Sequence, residues 1–210
     1  MRYIKIVTPI IAIFFLASCE KETTADVSRT VKVTYPTITI KGDQLVILPV
    51  GGTFSDAGAT LLDDISGAST SIQATKGTVN TAVPGLYVLT YAASNANGFE
   101  ASASRLIAVT SINNPIDRSG TYKRTATGVN AVITKVANGV YRVKNPGGAG
   151  VGENLVVYFV ETALNTYVAP TQPTADGPTS VTNINFTATG ATWNVVNSGY
   201  GTALRTFVKQ

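Results

Sequence analysis

The sequence predicts an all-β chain built from two successive antiparallel β domains, the first a small sandwich and the second a sandwich or small barrel. Three observations carry this expectation. Only 13% of the 210 residues are charged, while Thr, Val, Ala, Asn and Gly abound, a mixture that favours strands and turns over helices. No window of roughly twelve residues places apolar side chains at helical spacing. The charge balance also shifts along the chain: residues 33–110 carry −2 and residues 115–210 carry +4, as expected of two separate units.

Residues 1–18, MRYIKIVTPIIAIFFLAS, join the basic Arg2 and Lys5 to an apolar run from Ile6 to Leu16 broken only by Thr8 and Pro9. That is the pattern of a secretory signal peptide, and the run is shorter than the ~20 residues a bilayer span needs. Without Arg2 and Lys5 the formal charge drops from +4 to +2, so small an excess that nucleic acid is not an expected partner.

The chain holds a single cysteine, Cys19, and no histidine. An internal disulfide is therefore impossible, and a thiol nucleophile would lack its usual base. Leu16-Ala17-Ser18-Cys19 resembles the bacterial lipobox, which implies cleavage before Cys19 and attachment of acyl chains to it, more than the two signals stable anchoring needs. Residues 19–32 then read as a flexible tether, polar and free of aromatics. Glu20 and Glu22 resemble the acidic export signal of lipoproteins of gut anaerobes. The resemblance implies an outer-membrane, lipid-anchored protein facing the cell exterior.

The first domain spans 33–111. VTYPTITIKGD and QLVILPVGG each end in glycine turns, and Pro84-Gly85 leads into LYVLTYAASNANGF. There Leu86, Val88 and Thr90 share one face and Tyr87, Leu89 and Tyr91 the other. Asn97-Gly98 reverses the chain into EASASRLIAVTS, completing a hairpin in a sandwich of roughly seven strands. Gly52-Thr53-Phe54-Ser55-Asp56-Ala57-Gly58-Ala59, Pro84-Gly85-Leu86-Tyr87, Tyr91 and Arg105 with Val109 together resemble the bacterial immunoglobulin-like domain related to hyalin repeats. That family implies a spacer or binding stalk. Asp56, Asp63 and Asp64 offer oxygens to calcium, but side chains that bond their own turns are the expectation, with no metal site.

Ser111 to Asp117 contains an Asn-Pro step and serves as a short linker. The second domain, 116–210, opens with Gly120-Thr121-Tyr122, turns at Asn138-Gly139, passes a glycine loop at 145–150, and continues through NLVVYFVETALNTYVAP to YGTALRTFVKQ. Six or so strands in sequence order suggest a meander. Gly120-Thr121-Tyr122, Gly139-Val140-Tyr141, Trp193 and Tyr200-Gly201 are similar to the carboxy-terminal domain of lipoproteins of polysaccharide-utilisation loci. That resemblance implies a polysaccharide or an outer-membrane transporter complex as partner.

Catalysis is not expected. Glu153 and Glu161, on one strand, would stand ~26 Å apart, against the ~5–10 Å of glycosidase pairs. Gly148-Ala149-Gly150 opens no helix, so it lacks the amide cluster of a phosphate loop. No cofactor is implied. Sugar recognition asks for aromatic faces beside polar and charged groups; Trp193, Tyr200 and Tyr167 near loops, with Arg142 and Lys144, are the candidates. Trp193 has core packing as its competing role, and the bases from Arg118 to Lys144 either meet an acidic glycan or form a solvated face. The expected function is a non-enzymatic surface lipoprotein that binds glycan or assists polysaccharide uptake. The alternative is an adhesion or assembly component with a protein partner.

Overall fold

A computed structural model describes residues 33–210; the expected signal peptide 1–18, the expected lipidation site Cys19 and the expected tether 19–32 lie outside the described residues. Fourteen strands and no helix are found among those described. Six strands build the first unit: β1 (Thr37–Ile40), β2 (Leu45–Pro49), β3 (Ala59–Leu62), β4 (Ser69–Ile72), β5 (Gly85–Ser94) and β6 (Glu100–Thr110). They form two three-stranded sheets, β1-β3-β4 and β2-β6-β5, with β2 parallel to β6. The count is six rather than seven, because residues 77–84 are held by turns, Asn80 Oδ1 accepting the Ala82 amide at 3.0 Å.

The β5–β6 hairpin turns where Asn97-Gly98 predicts it. Asn95 organises the loop: its Oδ1 accepts the amides of Asn97 and Phe99, both at 3.0 Å, and Gly98 takes the left-handed φ of 83°. Between the sheets lie Ala59, Leu89, Tyr91, Ile107 and Val109. Asp56 corrects the expectation of a turn-bonding side chain. It pairs with Arg105, which is 2% exposed, and accepts the Tyr91 hydroxyl. A buried guanidinium needs a counter-charge and several acceptors, and Asp56 with the Asp43 and Lys41 carbonyls supplies them. Asp63 does bond its own turn, accepting from Ile65 and Ser66 at 2.8 and 2.9 Å; those bonds hold its carboxyl below the usual range.

The second unit has eight strands, not six: β7 (Gly120–Arg124), β8 (Asn130–Ala137), β9 (Val140–Lys144), β10 (Val156–Ala163), β11 (Thr166–Gln172), β12 (Thr179–Phe186), β13 (Gly190–Val196) and β14 (Leu204–Lys209). Each pairs antiparallel with the next, and β14 returns to β7, so the sheet closes into an up-and-down barrel. Asn138-Gly139 makes the β8–β9 turn. At eight strands the interior is just wide enough for side chains to fill it. Here aromatics do so: Trp193 stacks on Phe207 at 4.1 Å and meets Phe159 edge-on at 5.7 Å, while Tyr167 meets Phe186 at 4.9 Å.

Both faces of the β2-β6-β5 sheet are covered, which is why β6 is buried without alternation from Arg105 to Val109. Arg105, Ile107 and Val109 face the sandwich core, and Leu106 and Ala108 join Leu86 in an apolar cluster with Val140 and Val160 of the barrel wall. The linker is fixed too, since Asn138 donates to Asn113 O at 2.8 Å and Tyr141 to Ile116 O at 2.8 Å.

Candidate functional site

A cleft of about 270 Å³ opens at one rim of this junction. The sandwich contributes Gln44, Leu45, Ser104 and Leu106, and the barrel contributes Arg142, Asn154, Tyr158 and the chain from Gln172 to Ala175. Its two central groups arise from register. On β9, Tyr141 and Val143 point into the barrel, so Arg142 between them points out, and it pairs directly with Tyr158 of β10. Neither the Arg142 guanidinium nor the Tyr158 hydroxyl has a hydrogen-bond partner among the described residues. A half-buried cation and a phenol therefore stand side by side with open valences, ringed by amide and hydroxyl groups.

The backbone beneath them is held by a substitution of side chain for main chain. Continuing the β10–β11 register from Val160↔Val168 sets Tyr158 opposite Pro170, which has no N–H to give. Gln172, 1% exposed, fills the gap: its Oε1 accepts the Tyr158 amide and its Nε2 donates to the Tyr158 carbonyl, both at 2.8 Å. That bidentate clamp fixes the base of Tyr158. At about 270 Å³ the cleft lies just under the ~300 Å³ where enclosed small-ligand sites begin. It suits a polar segment lying along a groove. On the opposite rim a wider, more apolar hollow of about 600 Å³ is lined by Pro84 to Tyr87, Tyr167 to Thr171 and Ser180 to Thr182.

The residues expected to bind ligand do not converge. Trp193 is corrected outright: it is 0% exposed, donates from Nε1 to Pro146 O at 2.7 Å, and has its faces occupied by core aromatics. Tyr167 is likewise interior, its hydroxyl accepting from Arg118 Nε at 3.1 Å, and burial raises its pKa. Tyr200 lies half-buried at the barrel end remote from the linker. Its hydroxyl is 2.9 Å from Asp176 Oδ2, and burial together with that bond pushes it up to about 12. Lys144 is exposed beside Asn130 and Glu153 in a separate hollow. Only Arg142 reaches the junction cleft.

The bases of β7 to β9 form no single face, since Arg118 and Arg124 turn inward while Lys123 and Lys144 turn out. Glu161 is fully buried and accepts the Asn165 amide at 2.8 Å, while Glu153 is exposed at the other end of β10. Among the described residues no three Asp, Glu, Cys or His side chains gather as a metal set would. Sequence reasoning missed Gln44, Ser104, Asn154 and Thr174 and read Tyr158 as packed, because the cleft exists only once two units dock. The visible signal was the apolar Leu106 and Ala108 on a face a free sandwich would leave polar.

Comparison with curated proteins returns no match. Among solved structures, a lipoprotein from Bacteroides thetaiotaomicron is similar at 27% identity, over 83% of this chain and 100% of that chain, with a TM-score of 0.38. Residues 38–109 match the family of bacterial surface protein, Ig-like domain. The matched stretch runs from β1 to β6, so it is the two-sheet unit of this chain that is similar to that Ig-like family.

Proposed function

We propose that this chain is a lipid-anchored, non-enzymatic surface protein of the outer membrane, facing outward, that holds a stretch of glycan in the junction cleft and so assists polysaccharide uptake. The observation that carries the reading is the pairing of the Arg142 guanidinium and the Tyr158 hydroxyl, neither with a hydrogen-bond partner among the described residues, in a groove lined by Gln44, Ser104, Asn154 and Thr174. Sugars present many hydroxyls, and a guanidinium with amide and hydroxyl neighbours offers the convergent donors that such a ligand needs. Anchoring is supported by Leu16-Ala17-Ser18-Cys19 and by the surface-type Ig-like match.

The test is a glycan array with the full chain, followed by titration of any hit against Arg142→Ala. Because the Arg142 guanidinium bonds nothing within the described residues, the variant keeps its thermal midpoint and loses about tenfold or more in affinity, on the scale of one charge-assisted bond or two. Unchanged affinity would place the ligand elsewhere. A protein partner is the second reading, favoured by the edge of β4, which pairs only with β3 and is exposed over Ser69–Ser71. Such an edge accepts an added strand. An array without hits turns the preference to that reading.

A further inference from the structure

The barrel end remote from the linker holds two arginines that the cleft does not use. In an up-and-down barrel the loops after β7, β9, β11 and β13 gather at one end, and β7 finishes there with Arg124 while β14 starts there with Leu204 and Arg205. Both occupy inward positions. Arg124 follows buried Tyr122 by two residues, and Arg205, 3% exposed, precedes buried Phe207 by two. Register sets Arg124 opposite Phe207 and Arg205 opposite Trp193, so the two stems flank the Trp193–Phe207 stack.

Their partners are all neutral. Arg205 donates from Nη1 to Ala203 O at 3.1 Å and from Nη2 to Tyr200 O at 2.7 Å, and Arg124 donates from Nη1 to Gly147 O at 3.1 Å. The Nε of each is buried with no partner. Asp56 pairs with Arg105 in the other unit, and Asp176, at this same end, accepts from Tyr200. Carbonyls satisfy N–H groups but do not neutralise charge, and a buried cation beside a half-buried one is unfavourable. Burial and the adjacent Arg124 both lower the Arg205 pKa, the direction such repulsion requires.

We propose that the pair is an oxyanion site, in which one carboxylate, sulfate or phosphate group sits at the barrel mouth between the free Nε–H groups of Arg124 and Arg205. Planar guanidinium groups recognise oxyanions with paired, directional bonds that a lysine cannot match. Tyr200 packs against the glycine loop at this same end: a Cβ built on Gly147 would meet its ring at 2.8 Å, and one on Gly152 would meet its hydroxyl at 1.3 Å. Arg205 holds the Tyr200 backbone carbonyl, while the Tyr200 hydroxyl donates to Val151 O and Asp176 Oδ2.

The test is thermal unfolding of the full chain at fixed ionic strength with sodium chloride, sodium sulfate or sodium galacturonate. A saturable rise of the midpoint with sulfate or galacturonate, absent with chloride, is expected. Sulfate also stabilises proteins generally by exclusion from their surface, without saturating, so saturation is the criterion. Saturation with galacturonate alone assigns the acidic group of a sugar, and with sulfate alone a free anion; either supports the site. Arg124→Gln should raise the midpoint in chloride, where it relieves repulsion, and weaken the anion about tenfold. Arg205→Lys, which keeps the charge and loses the fork, should weaken it as well and serves if the first variant does not fold. Arg142→Ala should leave the anion response intact, which separates this site from the junction cleft. No saturable shift with either anion, or an undiminished shift in the arginine variants, overturns the proposal.

Discussion

Trp193 shows how one residue can satisfy a pattern for two opposite roles. It stands near a loop with an amide-rich neighbourhood, as a sugar platform would, yet its position on β13 alternates with Thr192 and Asn194, whose side chains face outward. Enclosed among Phe159, Phe207 and Phe186, it is a core anchor. Trp193→Ala should cost about 3–5 kcal/mol, as large aromatic deletions in filled cores do; denaturant unfolding measures it, and the fraction still folded should bind glycan normally. Tyr91 and Tyr200 make the residue-scale pH prediction. Each hydroxyl is raised from 10 to about 12, by burial first and then by a carboxylate acceptor. A group whose folded pKa lies above its unfolded one contributes stability that is whole below pH 10 and lost as pH climbs toward 12. Denaturation midpoints should therefore be flat up to about pH 9 and fall steeply by about pH 11.5, and Tyr200→Phe should soften the fall.

Among the elements, β10 and β11 separate what local chemistry announces from what it hides. The run NLVVYFVETALNTYVAP reads equally as one long strand or two. The turn falls at Leu164-Asn165, and Asn165 carries it at φ 59°, a conformation Asn tolerates better than most residues. Hairpins at Asn97-Gly98 and Asn138-Gly139 were legible because their cause lies within five residues. Barrel closure was not, since β14 meets β7 across about eighty residues, and no local preference encodes so distant a partner. The Gln172 clamp was equally hidden: a Gln in a strand looks like a solvent-facing residue until Pro170 leaves a gap opposite Tyr158. Gln172→Ala should cost about 1–3 kcal/mol by stripping a buried amide and carbonyl of their partners, and hydrogen exchange at the Tyr158 amide should accelerate.

At the scale of the whole molecule, the apolar cluster of Leu86, Leu106, Ala108, Val140 and Val160 joins two units that each have a core of their own. A shared core couples their unfolding, so the native chain should melt in one transition. Ala108→Asp, which buries an unpaired carboxylate at a site with 0% exposure, should split it into two, visible by calorimetry. The charge shift and the turn signals suggested two units, while the cleft was beyond reach because its walls come from sheets that sequence reasoning treats separately.

The parallel pairing of β2 with β6 bears on force. Under the proposed function, a chain tethered ahead of β1 and holding a glycan through its distal half would be pulled from both ends, with the tension crossing the sandwich from its first strands to Thr110. Along that path β2 is drawn backward while β6 is drawn forward, so the five register pairs from Leu45↔Leu106 to Pro49↔Thr110 are strained together, lengthwise, not opened one at a time like a zipper. A domain wired in this way resists drag, as a link between an anchor and a moving load must.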